Sequence, residues 1–453
     1  MQLPSALLQS LQGLPGFDEP AFINTHQSGA QVTSVRINPL KVSQVPLAVE
    51  HAPIPWSRYG YYLSKRPSFT FDPLFHAGCY YVQEASSMFL EQALQQAVDL
   101  TQPVTVLDLC AAPGGKTTHL QSLISEGSLL VSNEVIRSRA AVLKDNVIKW
   151  GAPNIAVTNN DPADFSALPG FFDVVVVDAP CSGSGLFRRD EAAITEWSPN
   201  NVELCSQRQQ RILADVLPAL KEDGVLIYST CSYSPQEDEA ILQWLNTMGM
   251  EGVELVTEPG WNIVAVKTGN SFGYRFWPHR LEGEGFFIGA FRKRAVSAQP
   301  EKYRPKTKPL ASKDTAALRP WILMEGQQFV VFGERIYAWS ASLFEALDRL
   351  AGKMKVLYSG VLVGTLIRDK LIPDHALALS KQLPDTIAGS GLSEENAIRY
   401  LQRKDFTLET TQKGWQLASC CGHPLGWMNV LPNRINNYYP KELRILKEQA
   451  PDI

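Results

Sequence analysis

Between Val104 and Ser229, short apolar runs alternate with amphipathic stretches, a pattern that predicts parallel strands covered on both faces by helices. The runs are Val104–Leu109, Ser128–Ser132, Ile155–Thr158, Asp173–Val177 and Gly224–Ser229. Each is short, rich in β-branched residues and continuously apolar. The clearest helix follows Glu134, where Ile136, Ala140, Leu143, Val147 and Trp150 recur at steps of four and three. A second helix is expected from Ser198-Pro199, a cap and first-turn pair, to about Gly224, bent at Pro218. A third begins at Ser234-Pro235-Gln236-Glu237, which reads as a capping box. Gly285–Phe291 is expected to add an antiparallel edge strand. Right-handed crossovers then predict an α/β fold with a doubly wound sheet.

Upstream, residues 1–95 mix short helical and extended patterns, a small α+β region. It ends in an amphipathic helix expected over Glu84–Val98, with Met88, Leu90, Ala93, Leu94 and Val98 on its apolar face. The sheet-forming core is placed at 96–294. Residues 292–313 carry eight Lys/Arg against Glu301 alone, with prolines at 300, 305 and 309, so 295–313 reads as a basic linker. Two further pieces are expected beyond it, an α+β segment at 314–383 and a C-terminal domain at 384–453.

Composition narrows the function classes. A formal net charge of -4 gives no global positive field, so any nucleic-acid contact must come from local patches. The seven cysteines (79, 110, 181, 205, 231, 420 and 421) are scattered, with no CxxC pair. No metal site is expected, and reduced thiols in a reducing compartment are. The first residues, MQLPSALLQSLQGLPG, lack the basic start and apolar core of a signal peptide, and no run approaches the roughly 20 apolar residues of a membrane span. The expected location is the cytoplasm.

The predicted strands all end in polar or reactive groups. Asp108 runs into CAAPGGKTT, and Glu134, Asp161, Asp178 and Thr230-Cys231 close the other four. In an open parallel sheet, ligands bind beyond those ends. Gly114-Gly115 let backbone approach a ligand closely, and Glu134, about 20 residues on, stands where an acid accepts hydrogen bonds from ribose hydroxyls. The bland alternative is a tight turn and a solvated acid. The loop has Cys110 where a Walker A loop needs its first glycine, and A-P-G-G-K-T lacks the G-x-G-x-x-G of dinucleotide sites. An adenosine without phosphates, such as S-adenosylmethionine, fits better.

Two thiols lie just past strand ends, in Asp178-Ala179-Pro180-Cys181 and Ser229-Thr230-Cys231-Ser232. Free cysteine is usually a small buried apolar residue, a reading that suits Cys79, Cys205, Cys420 and Cys421 better than this pair. A methyltransferase needs a thiol when the acceptor is carbon 5 of cytosine. That carbon attacks a sulfonium methyl only after a thiolate adds at carbon 6 and makes the ring an enamine. Asp178 is the nearest acid to assist at ring nitrogen 3. On this reasoning alone, either Cys231 or Cys181 can be the nucleophile.

VLDLCAAPGGKTTHL, VVVVDAPCSGSG and YSTCS resemble the motifs of the Nol/Nop/Sun RNA cytosine-5 methyltransferases, and SVRINPLK and YYVQEASSM resemble the region preceding them. The resemblance covers about residues 30–294. It implies a class I, Rossmann-like, S-adenosylmethionine-dependent core, with Cys231 as nucleophile and Cys181 assisting release of the product. It also implies a cofactor site formed by Cys110, Ala111, Ala112, Pro113, Gly114, Gly115 and Lys116, with Glu134, Arg139, Asp161 and Asp178; Lys116 also reaches the base. DNA cytosine-5 methyltransferases use a Pro-Cys cysteine, here Cys181; the second cysteine at Thr230-Cys231 favours the RNA family.

The tail, from Gly414-Trp415 to Tyr438-Tyr439-Pro440, resembles the PUA-like RNA-binding domain of the bacterial 16S rRNA methyltransferase F type. That resemblance implies a cytidine of small-subunit ribosomal RNA as target, free or within a ribosomal particle, and a monomeric enzyme. Arg36, Arg188, Arg189 and the basic linker are the candidate phosphate contacts. A transfer-RNA cytosine-5 methyltransferase, a non-catalytic ribosome-assembly factor and an N-methyltransferase are the competing readings. Intact Cys231, Asp178 and Glu134 argue against the assembly factor. DAPC, in place of Asn/Asp-Pro-Pro-Tyr, argues against the N-methyltransferase.

Overall fold

A computed structural model describes residues 2–295, 303–368, 370–408 and 410–448. The five apolar runs form parallel strands β1 (Thr105–Asp108), β2 (Leu129–Asn133), β3 (Ile155–Thr158), β4 (Phe172–Asp178) and β5 (Leu220–Thr230), in the order 3-2-1-4-5. Their valines, leucines and isoleucines are buried, Val175 1% and Val176 0% exposed, because helices cover both faces. The strand order reverses between β1 and β4, the topological switch point at which such sheets bind ligands.

Antiparallel strands β6 (Met250–Val253), β7 (Val264–Thr268), β8 (Ser271–Phe276) and β9 (Phe286–Lys293) extend the β5 side. β9 is therefore interior and not the edge strand its composition implied: it pairs with β5 on one side and with β8 on the other. Helices α1 (Leu90–Ala97), α2 (Gly115–Leu123), α3 (Arg137–Trp150), α4 (Pro199–Val216) and α5 (Glu239–Thr247) flank the sheet. Three sequence expectations are corrected here. Ile136 lies just outside α3 and is 49% exposed, whereas Ala140, Leu143, Val147 and Trp150 are buried. Pro218 does not bend α4: the helix stops at Val216, and β5 starts as early as Leu220. Glu237 closes no capping box, because α5 starts two residues later and the Glu237 side chain points elsewhere.

The N-terminal region forms three short α-helices, Ser5–Leu11, Glu19–Gln27 and Pro73–His76, and a four-stranded antiparallel sheet ordered His51–Pro53, Gly60–Leu63, Thr33–Ile37, Tyr80–Val82. Downstream, Gln327–Phe332, Arg335–Ser340, Val361–Ile367 and Lys370–Pro373 make a second such sheet; Gly389–Gly391, Gly414–Cys420, His423–Val430 and Ile435–Asn437 make a mixed four-stranded sheet, its first two strands parallel and the rest antiparallel. These pieces share cores with one another. Strand β10 (Val356–Ser359) adds antiparallel to β3 at the edge of the central sheet. Leu417 and Trp427 pack into the core of the 314–383 segment. Val35, Cys79 and Tyr80 pack with Leu392, Tyr400 and Met428. Among the described residues no helix is long and apolar enough to cross a membrane.

Candidate active site

The loop after β1 carries the first half of the site. Gly114 sits at φ +114°, a conformation costly for a side chain, and opens α2 at Gly115. Thr117 donates from that helix to the fully buried Asp108 at the end of β1, 2.7 Å away. Burial raises the Asp108 carboxyl to about 7, against the pull of that hydrogen bond. The second Asp108 oxygen is buried without a hydrogen-bond partner.

Glu134 follows β2 and is 3% exposed. One of its oxygens accepts from the Ile136 amide at 2.9 Å, and the other lies 3.5 Å from Arg139. Arg139 also donates to the Ala112 carbonyl at 2.8 Å, tying the glycine loop to the acid. The Cys110 thiol is pushed far up by burial, as befits an inert packing residue. Asp161 stands apart. It is exposed beyond β3, and its hydrogen bonds stay within its own turn, with Ala163 and Asp164. The orphaned Asp108 oxygen, the buried Glu134 and the left-handed Gly114 fit a cationic nucleoside without phosphates.

The second half lies at the ends of β4 and β5. Asp178 accepts from Lys116 Nζ at 2.9 Å and from Ser229 Oγ at 2.8 Å. Lys116 also lies over the Phe286 ring, 5.2 Å from its centroid. Burial alone would depress the Lys116 amine, but Asp178, then Cys231 and Asp108, hold it above the usual lysine value. Cys181 Sγ lies 3.0 Å from Cys231 Sγ, both thiols free and half-buried. The hydrogen bond to Cys231, followed by burial, drives the Cys181 thiol well above its usual range.

Close backbone packing holds these loops. A Cβ on Gly185 would meet the Gly285 carbonyl at 2.5 Å and the Cys231 carbonyl at 2.7 Å, and the Gly185 amide donates to that Cys231 carbonyl at 2.8 Å. Neither Gly185 nor Glu237 stood out in the sequence. The only local signal for Glu237 was a Ser-x-x-Glu spacing that mimics a helix cap.

The phosphate candidates fare differently. Arg36 is completely buried and donates to Gln83, Gly115, Thr118 and Ser122 inside the protein. Arg188 is nearly buried against Glu284 and donates to the Ala30 and Gly283 carbonyls. Arg189 shares Glu284 and donates to the Val32 carbonyl. All three arginines hold the N-terminal region; Arg36 and Arg188 are shielded from solvent, whereas Arg189 stays exposed. In the basic linker, Arg292 and Lys293 belong to β9 and donate to backbone carbonyls, and Arg294 pairs with Asp223 and Glu251. Residues 296–302 lie outside the described residues. Of the four cysteines expected to be buried, Cys421 is exposed in a turn at φ +50°.

A parallel sheet ordered 3-2-1-4-5 with a glycine loop after its first strand defines the class, a Rossmann-like methyltransferase. Residues 95–292 match the family described as 16S rRNA methyltransferase RsmB/F, residues 3–85 the N-terminal domain of 16S rRNA methyltransferase RsmF, and residues 390–445 the methyltransferase RsmF PUA domain. "Ribosomal RNA small subunit methyltransferase F" of Shewanella loihica is 31% identical over 437 residues, covering 90% of this chain and 88% of the relative. Its counterpart from Pectobacterium atrosepticum is 30% identical over 438 residues, covering 90% and 89%. A methyltransferase homolog protein from Pyrococcus horikoshii superimposes with a TM-score of 0.51 at 28% identity, covering 64% of this chain and 100% of that one. NSun6 from the same organism, solved with SFG, shares the fold at a TM-score of 0.53 and 19% identity, over 64% and 98%. The chain belongs to the RsmB/F family of 16S rRNA methyltransferases. It is an RNA methyltransferase, and its cofactor is S-adenosylmethionine.

Proposed function

We propose that this protein methylates carbon 5 of a cytidine in small-subunit ribosomal RNA, in the cytoplasm, through a covalent bond between Cys231 and carbon 6 of the base. The observation that carries the reading is the pair of free thiols 3.0 Å apart, beside the Lys116–Asp178 ion pair at the carboxyl ends of β4 and β5. The relatives' names, ribosomal RNA small subunit methyltransferase F, support ribosomal RNA as the substrate.

Bound S-adenosylmethionine supplies an electrophilic methyl group; Gly114, Gly115, Glu134 and Asp178 would hold it. The target base leaves its stack, at a cost of a few kcal/mol that is least for an unpaired nucleotide. The reactive form at 231 is the thiolate, left when the Cys231 thiol gives its proton to solvent, and the Cys181 sulfur lies within hydrogen-bond distance of it. That thiolate adds to carbon 6, and the electron pair moves through carbon 5 onto the ring. Asp178 accepts from both Lys116 and Ser229 and so orients the Lys116 ammonium. The ammonium of the pair therefore donates the hydrogen bond that offsets charge at ring nitrogen 3. Carbon 5, now an enamine carbon, takes the methyl. Cys181, once its own proton has passed to solvent, then accepts the carbon-5 proton as a thiolate, while the bond between Cys231 and carbon 6 breaks and restores the aromatic ring.

The test is incubation with labelled S-adenosylmethionine and a 5-fluorocytidine RNA, in which no carbon-5 proton can be removed. The expected outcome is a covalent protein–RNA complex that is lost in Cys231→Ala and retained in Cys181→Ala. The reverse pattern assigns the nucleophile to Cys181.

A further inference from the structure

Both cysteines are followed by a serine, and both serines converge on one carboxylate. Glu237 is fully buried, 0% exposed. Its Oε1 accepts from the Ser182 amide at 2.8 Å and from Gln209 Nε2 at 3.2 Å. Its Oε2 accepts from Ser182 Oγ at 2.5 Å and from Ser232 Oγ at 2.6 Å. Gln209 also donates to the Pro180 carbonyl at 3.1 Å, just ahead of Cys181, and Tyr228 donates to both the Gln209 side chain and the Glu237 carbonyl. On the Cys231 side, Ser232 Oγ accepts from the Ser234 amide at 3.0 Å, and Thr230 Oγ1 donates to Asp238 at 2.7 Å. The two thiol loops are 50 residues apart in sequence, and this carboxylate bridges them.

We propose that Glu237 is a positioning residue, which holds the Cys181 and Cys231 sulfurs at their working separation by binding Ser182 and Ser232 at once; this rests on the thiol roles proposed above. It touches neither thiol and no part of the cofactor loop. A buried carboxylate is expensive, and among the described residues its hydrogen-bond partners are neutral donors. The arrangement makes sense because the four groups facing it are all donors. Two carboxylate oxygens accept all four, whereas the amide of a glutamine would turn an NH2 group toward one pair of them. Burial raises the Glu237 carboxyl, with the Ser182 and Ser232 hydrogen bonds opposing that rise. The chain keeps this cost at a place where a displacement of about 1 Å at the reacting sulfurs would cost about a hundredfold in rate.

The experiment reads the sulfur separation directly. Phenylarsine oxide bridges two adjacent thiols with loss of water, so it reports their geometry without RNA or turnover. It is applied to the full chain in a Cys421→Ser background, because Cys420 and Cys421 sulfurs lie 3.8 Å apart and could also capture it. Capture should vanish in Cys181→Ala and in Cys231→Ala, which assigns the signal to this pair. In Glu237→Ala capture should be lost and kcat should fall about a hundredfold, with the KM for S-adenosylmethionine unchanged. Glu237→Gln, which keeps the shape and part of the bonding, should recover part of both; should Glu237→Ala fail to fold, Glu237→Gln decides alone by its weakened capture. Capture equal to the background in both variants overturns the proposal. Absence of a 5-fluorocytidine adduct in the unmodified protein would instead overturn the thiol roles and leave the capture result readable.

Discussion

Replacing Arg36 by methionine keeps the packing of its stem and removes the guanidinium, and its consequences separate a buried clamp from a phosphate contact. The guanidinium donates to Gln83 Oε1 (2.9 Å), the Thr118 carbonyl (3.3 Å), Ser122 Oγ (3.1 Å), the Gly115 carbonyl (3.3 Å) and Thr118 Oγ1 (2.5 Å). It also lies over the Trp150 ring, 4.7 Å from the centroid. Hydrogen bonds from a charged donor contribute about 1.5–3 kcal/mol each, so five amount to roughly 7–15 kcal/mol gross. Burial opposes this: it lowers the Arg36 pKa from 12.5 to about 9, equivalent to about 5 kcal/mol at 1.36 kcal/mol per tenfold change. The substitution removes both, but strands five acceptors in a dry interface, and a net loss of about 3–5 kcal/mol is expected. Denaturant titration followed by tryptophan fluorescence measures it, with Trp150 as a local reporter. Because Gly115 and Thr118 belong to the first turn of α2, S-adenosylmethionine affinity should fall as well. Arg36→Lys should not rescue, since an ammonium cannot span the five acceptors. Unchanged stability together with an RNA-binding salt slope reduced by about one would refute this account, because that is the signature of an exposed phosphate contact.

Three further outcomes are expected. Gly185→Ala would push a methyl against the carbonyls of Gly285 and Cys231, displacing the Cys231 loop; RNA methylation should fall about a hundredfold while S-adenosylmethionine binding, measured by calorimetry, persists. The raised Asp108 carboxyl, about 7 against 3.8, keeps its proton in the native state where the unfolded chain has lost it. Stability contributed by Asp108 is therefore complete below about pH 4 and declines as pH rises to about 7, by at most about 1.4 kcal/mol per pH unit. Asp108→Asn should flatten that decline in melting curves taken across the window, and a difference from the unmodified protein that does not vary with pH would contradict it. Reversing the charges of Lys302, Arg304, Lys306 and Lys308 should weaken RNA binding and shallow its salt dependence by roughly 0.7 per lost contact to single-stranded RNA; binding that is unchanged across salt concentrations would remove the linker from the RNA interface.

Much of the core was legible in the amino-acid order alone, because the signals are local. Continuous β-branched runs identify buried parallel strands, a glycine pair after the first strand marks the ligand loop, and reactive groups at strand ends mark the crevice. The strand-end contexts of Cys181 and Cys231 also placed both thiols in one crevice, and the structure brings them 3.0 Å apart. What only the tertiary structure decided are the relations between distant segments. Arg36 has the composition of a phosphate contact, yet the first turns of α2 and the Trp150 ring enclose it. Glu237 sits at a spacing that imitates a helix cap, and its use became visible only when Ser182 and Ser232 were brought against it. β9 has the look of an edge strand, but the hairpin of β7 and β8 covers its outer side. Periodicity and turn chemistry act over a few residues and can be read from a string; burial, pairing partners and a separation of 3.0 Å between two sulfurs depend on which distant surfaces the packed chain brings together.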